Sequence, residues 1–178
     1  LKPANVMVGA FGEVQVVDWG LAKVLRRGGV DDEARARRDD RTVIETVRSG
    51  PASEGSDSMA GSVLGTPAYM PPEQARGETD TLDERADVFA LGAILCELLT
   101  GRPPYVEGDG EPVLVQAAEA RLAAARGRLD AADADAGLVE LALSCLAPAP
   151  DARPRNGGAV ARAVGDHLAR TEERARRA

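Results

Sequence analysis

The sequence predicts a mainly α-helical domain with one small β-hairpin at its N-terminus, and three observations carry that reading. Two short β-branched runs, Val6-Met7-Val8 and Val14-Gln15-Val16-Val17, flank a Gly9…Gly12 turn in the pattern of a tight hairpin. The stretch Asp83–Thr100 (DERADVFALGAILCELLT) repeats apolar residues at helical spacing. Shorter apolar periodicities of the same kind recur at 112–126, 136–146 and 158–170. At 178 residues the chain has enough material for one ordinary core.

Composition narrows the function. A net charge of −7 with 3% aromatic residues argues against nucleic-acid binding, which needs a basic face and often stacking rings. Cys96 and Cys145 both sit among leucines on helical stretches and read as buried thiols, not as a disulfide or a metal site. His167 is the single histidine, so zinc clusters and Ser-His-Asp hydrolysis have almost no material. No stretch approaches the ~18 uncharged apolar residues of a membrane span; Val88–Leu99 comes closest and contains Glu97. There is no signal peptide and no initiator methionine, and Leu1 reads as a cut. A cytoplasmic location is expected, although a longer parent could be membrane-anchored.

Taken in order, the hairpin brings the residues at its open end side by side. Asn5 before the first strand and Asp18 after the second should therefore face a common point. An amide oxygen and a carboxylate there suit a hard cation such as Mg²⁺, which takes few protein oxygens and fills its other positions with water and phosphate. Residues 26–60 interleave Arg with Asp and Glu over few apolar anchors and are expected to lack stable packing, with Thr42-Val43-Ile44 a short strand or helical turn at most. Order should return at 61–73, where Pro72 suits the first position of a brief helix.

The strongest helix spans Asp83–Thr100. Val88, Phe89, Leu91, Ile94, Leu95, Leu98 and Leu99 cover more than one face, so burial on most sides is expected, with Gly101 ending the helix. Asp87 stands inside that apolar run. It is either a buried carboxylate in need of donors or a first-turn acid favoured by the helix dipole. A turn at Gly101–Tyr105 and a loop at 107–111 lead to a helix at Pro112–Arg126 with the sparse stripe Val113, Leu114 and Leu122. A compact helix at Ala136–Leu146 should face Leu138, Val139, Leu141, Ala142 and Leu146 inward. The last helix, Gly158–Arg170, carries Val160, Ala163, Val164 and Leu168, and the charged tail 171–178 should fray.

Five short motifs stand in order at suggestive spacings: LKPAN (1–5), DWG (18–20), GTPAYMPPE (65–73), DVFALG (87–92) and DARP (151–154). Each alone is weak. Together they resemble, in turn, the end of the protein-kinase catalytic loop H-R-D-L-x-x-x-N, the D-F-G motif, the end of the activation segment with A-P-E, the large buried helix and the closing P-x-x-R-P. Leu-Lys-Pro-x-Asn is the form found in serine/threonine kinases. The chain is identified by this resemblance as a bacterial, eukaryotic-like serine/threonine kinase. The fold implied is a protein-kinase-like C-lobe (α+β) with the N-lobe missing: a partial domain over 1–170, a long activation-segment insertion at 26–60, and the tail.

The resemblance implies roles residue by residue. Asn5 and Asp18 would hold Mg²⁺ against the phosphates of ATP, Lys2 would neutralise the transferring γ-phosphate, and Thr66 would orient Lys2. Met7 would form part of the adenine floor, or else be ordinary strand core. Trp19 takes the place of the usual Phe as a packing residue, followed by Gly20. Glu73 would pair with Arg153, Asp87 would hold the backbone of the catalytic loop, and Ser62 falls where an activating phosphate is usually added. The implied partners are ATP and a protein substrate. The chain begins one residue after the expected catalytic base and also lacks the Gly-rich loop, the strand lysine and its glutamate partner. Alone it is expected to be inactive. A second reading is a non-catalytic docking or scaffolding module with a groove between the activation segment and the 112–126 helix. Retention of Lys2, Asn5 and Asp18 favours descent from an active enzyme.

Overall fold

A computed structural model describes residues 1–20, 22–23, 25, 66–108 and 110–177. The insertion at 26–60, with Thr42–Ile44, and Ser62 lie outside the described residues. Residues 1–19 and the described part of 66–177 belong to one compact unit.

After a 3₁₀ turn at Pro3–Asn5, strands β1 (Val6–Val8) and β2 (Val14–Val16) pair antiparallel, with Val6 opposite Val16 and Val8 opposite Val14. The turn between them closes through Gly12 N–H to the Gly9 carbonyl at 3.1 Å. Gly12 lies at φ +83°, where a side chain would be strained. The hairpin is largely exposed: Met7 is 57% exposed, so it is not core, and Phe11 at the tip is fully open to solvent.

The helical core starts with another 3₁₀ turn, Pro67–Tyr69, and the short helix α1 (Pro72–Ala75), with Pro72 at its first position as expected. Helix α2 spans Arg85–Thr100 and ends at Gly101, whose φ of +73° lets its N–H reach the Glu97 carbonyl at 2.7 Å. The buried face of α2 is Val88, Phe89, Ala90, Gly92, Ala93 and Cys96. Of the apolar residues named for this helix, Leu98 is the one that faces water, at 76% exposed. The reason is close packing. Helix α5 (Ala136–Cys145) lies against α2 so tightly that a Cβ on Gly92 would fall 2.5 Å from the Cβ of Cys145. Small residues let the backbones approach, and the leucines are displaced to the flanks. Phe89 stacks on Tyr105 at 6.3 Å between centroids, and Leu129 is also fully buried. Each such side chain contributes about 1.5–3 kcal/mol by leaving water. Both cysteines are free and buried, and burial pushes the Cys145 thiol up to about 11.

Two helical expectations need correction. The helix foreseen at Pro112–Arg126 is two: α3 (Val113–Ala118) and α4 (Ala123–Asp130). The chain turns at Ala120, at φ +53°, and Arg121 N–H returns to the Gln116 carbonyl. A left-handed alanine costs about 1–2 kcal/mol. The turn brings Leu122, Ala125 and Leu129 into the core alongside Ala117, and a straight helix would splay this set. The second correction is the tail. Helix α6 runs unbroken over Gly157–Arg177, so the last helix continues past Arg170 into the charged tail. Glu172–Arg176 and Glu173–Arg177 pair one helical turn apart, acid before base, which supports an exposed helix end. Among the described residues no helix is long and apolar enough to cross a membrane.

Candidate active site

The site grows from the open end of the hairpin. Lys2 is extended, Pro3 starts a single 3₁₀ turn, and Asn5 leaves it to accept, through its carbonyl, the N–H of Val17 at 2.9 Å. That bond extends the ladder one step beyond β2 and sets Asp18 beside Asn5. Asp18 then takes the left-handed conformation, φ +62°, which aspartate tolerates better than bulkier residues. The Asn5 amide donates to Asp18 Oδ2 at 3.4 Å. Across 64 residues of sequence, Lys2 Nζ donates to Thr66 Oγ1 at 3.2 Å. Lys2 and Asn5 are half-buried, while Asp18 and Thr66 are exposed.

Whether a divalent cation fits can be judged from this donor set. Among the described residues no group of three or more His, Cys, Asp or Glu side chains converges. One carboxylate and one amide, open to water, suit an ion that draws its remaining oxygens from water and phosphate, as Mg²⁺ does. The Asn5 amide must turn over to present its oxygen in place of its N–H.

The same compact unit contains a buried anchor. Glu73, in α1, meets Arg153 in a two-pronged pair: Nη1 to Oε1 at 2.6 Å and Nη2 to Oε2 at 2.8 Å. Arg153 also donates to the carbonyls of Ala147, Arg85 and Pro148 at 2.8, 3.1 and 2.9 Å. All five of its N–H groups are matched, and its guanidinium lies 5.0 Å over the Phe89 ring.

Two expectations do not match the geometry. Asp87 is exposed, and among the described residues its carboxylate makes no hydrogen bond, so it is not a buried strut for Leu1–Asn5. The first turn of α2 sends Val88, Phe89 and Ala90 inward and Asp87 outward, leaving it as an acid at the positive end of the helix. Trp19 is not a packed residue either. It is 70% exposed, its indole folded back so that Nε1 donates to the Val16 carbonyl at 3.0 Å. Gly20 follows in an exposed turn.

The sequence reading missed two links. Tyr69 donates its hydroxyl to Glu97 Oε2 at 2.7 Å; the available signal was Glu97, the one acid between Val88 and Leu99. Arg85 donates to Asp83 at 2.6 Å and also to Asp151, tying the start of α2 to the turn before Arg153. Arg85 beside it holds the Asp83 carboxyl below the usual range. Desolvation, followed by the Glu97 hydrogen bond, pushes Tyr69 up to about 12.

Known proteins resemble this chain in sequence. The family model described as protein kinase domain matches residues 1–163. The serine/threonine-protein kinase PknB of Mycolicibacterium smegmatis is 35% identical over 153 residues, 86% of this chain and 20% of the relative. PknB of Mycobacterium leprae is 39% identical over 115 residues, 65% of this chain and 14% of the relative. The serine/threonine-protein kinase PknD of Protochlamydia amoebophila is 37% identical over 108 residues, 61% of this chain and 10% of the relative. The chain thus spans a fifth or less of the length of these curated relatives. With the hairpin site, the buried Glu73–Arg153 anchor and a family match over 1–163 in agreement, this chain belongs to the protein kinase domain family.

Proposed function

We propose that this chain supplies the C-terminal part of an ATP-dependent serine/threonine protein kinase, acting in phosphoryl transfer to a protein hydroxyl. The observation that carries the reading is the Lys2–Thr66 hydrogen bond lying on the same N-terminal segment as the Asn5–Asp18 contact. In phosphoryl transfer, catalysis is largely positioning and charge neutralisation. Asn5 and Asp18 would hold Mg²⁺, which would supply positive charge to offset that of the phosphates. Lys2 places a positive charge beside them, and Thr66 holds that charge in one direction by accepting from Nζ. Met7, exposed on β1, offers an apolar surface to the adenine ring. Ser62 is the proposed site of an activating phosphate. The 178 residues contain no Gly-rich loop and no H-R-D aspartate, so by themselves they are expected not to turn over.

The test uses Mn²⁺ as a paramagnetic substitute for Mg²⁺. Titration of Mn²⁺ with ATP into the isotopically labelled chain should broaden the amide signals of Lys2, Asn5 and Asp18 and spare α6. Asp18→Asn should abolish the effect. Broadening centred elsewhere, or equal in the variant, refutes the cation assignment and leaves the docking module as the better reading.

A further inference from the structure

We infer that Met7 is a site of reversible oxidation to the sulfoxide by hydroperoxides, and that oxidation there weakens nucleotide binding at the hairpin. The first half stands on where the molecule places its sulfur. The second rests on the proposed phosphoryl-transfer reading, which sets Met7 against the adenine ring.

The sulfur atoms among the described residues belong to Met7, Met70, Cys96 and Cys145. Three of these side chains are shut away from water: Met70 is 3% exposed within the core cluster, and both cysteines are free and buried. Peroxide attacks a cysteine as its thiolate, and burial raises the pKa of both thiols, so that form is scarce at neutral pH. Met7 is the exception, at 57% exposed. A thioether has no proton to lose, so access to its sulfur decides whether it reacts. The hairpin provides that access. Met7 is the central residue of β1, paired with Gln15, and strand alternation sends its side chain to the face away from Val6 and Val8.

In the reaction a lone pair of Met7 Sδ attacks one oxygen of the hydroperoxide. The O–O bond breaks and an S–O bond forms. The proton of the attacked oxygen passes to the leaving one, which departs as water or an alcohol. Sulfur gives up two electrons and the peroxide takes them. The product is polar and chiral where the thioether was apolar and pliable. An adenine ring resting there would have to strip water from the S–O dipole, an unfavourable step without a replacement hydrogen bond.

The experiment uses the full chain carrying Met59→Leu, because Met59 lies outside the described residues and would take up oxygen of its own. Under dilute hydrogen peroxide, peptide mass mapping should find one added oxygen on Met7 before any on Met70. In the Mn²⁺ and ATP titration, broadening at Lys2, Asn5 and Asp18 should then need about tenfold more nucleotide, as for the loss of one apolar contact. The two epimer-specific methionine sulfoxide reductases with a dithiol should restore the original response. With Met7→Leu added, whatever affinity it shows should be unchanged by peroxide. Met70 oxidised as early as Met7 overturns the inference. So does an oxidised chain that binds as well as the untreated one, or a Met7→Leu chain that loses binding to the same extent. If the untreated chain gives no response to Mn²⁺ with ATP while Met7 still oxidises first, the oxidation site stands and the phosphoryl-transfer reading fails.

Discussion

The Glu73–Arg153 pair and the Asn5–Asp18 and Lys2–Thr66 contacts are both built from opposed polar side chains, yet they differ in kind. The first is buried, with side-chain exposures of 0% for Arg153 and 7% for Glu73, and its bonds lie between 2.6 and 3.1 Å. The second pair of contacts is open to water, each a single bond of 3.2 or 3.4 Å. In a low-dielectric setting an unmatched charge is costly, so every donor must be satisfied and the geometry is rigid. At an exposed site water replaces a lost partner at little cost. Lys2, Asn5 and Asp18 are thus left free to exchange partners with solvent, as the proposed binding of phosphate and a cation would require. One region holds the fold and the other is open to exchange.

The largest effect that can break this comparison comes from Arg153→Met, which strands Glu73 in the core and should cost about 3–5 kcal/mol. Denaturant unfolding measures it. In a double-mutant cycle with Glu73→Gln the two losses should be far from additive, and additive losses would show that the pair is not coupled.

The next effect is one of pH. Tyr69 in the folded chain is pushed up to about 12 from an ordinary 10.0, chiefly by desolvation and then by Glu97. The unfolded chain gives up that proton first. The stabilising contribution is therefore whole below pH 10 and is lost as pH rises through about 12. Tyr105 is raised as well, by burial. Ultraviolet titration of the folded chain should show no tyrosinate near pH 10, and the lower of its two steps should vanish in Tyr69→Phe. A step near pH 10 would mean that neither the burial of Tyr69 nor its bond to Glu97 holds.

Tyr105 sharpens the contrast from the other side. Its hydroxyl is buried with no partner among the described residues, as is Arg128 Nε, in contrast to the fully matched Arg153. Tyr105→Phe keeps the stacking on Phe89 and removes the orphan, so it should raise stability by about 1 kcal/mol. A loss of stability would reveal a hidden partner for the hydroxyl.

The smallest effects belong to the open site. Asp18→Asn and Thr66→Val should each change unfolding free energy by no more than about 0.5 kcal/mol. A loss comparable to that of Arg153→Met would place these residues in the fold's support.

Much of this was legible in local sequence. The hairpin followed from β-branched runs and glycines, the helix stop from Gly101, and the neighbouring placement of Asn5 and Asp18 from hairpin geometry alone. These are decided within a few residues by backbone sterics and strand pairing. The links across 64 and 80 residues, Lys2–Thr66 and Glu73–Arg153, were expected only from motif resemblance, because spacing carries no information about such distant contacts.

What only the tertiary structure decided was burial and the choice among rival local forms. Asp87 faces water although its neighbours in sequence are apolar, because the approach of α2 to its partners selects which face is covered. Leu98 is exposed and Gly92 buried for the same reason: two helices in near contact favour small residues over greasy ones. The Pro112–Arg126 stretch breaks at Ala120 because three inward side chains outweigh one strained backbone angle. Tyr69 finds Glu97 only once the chain has folded the turn onto α2. By itself the sequence determined the elements and the chemistry at their ends. Which faces meet depended on packing, since burial is a property of neighbours that are distant along the chain.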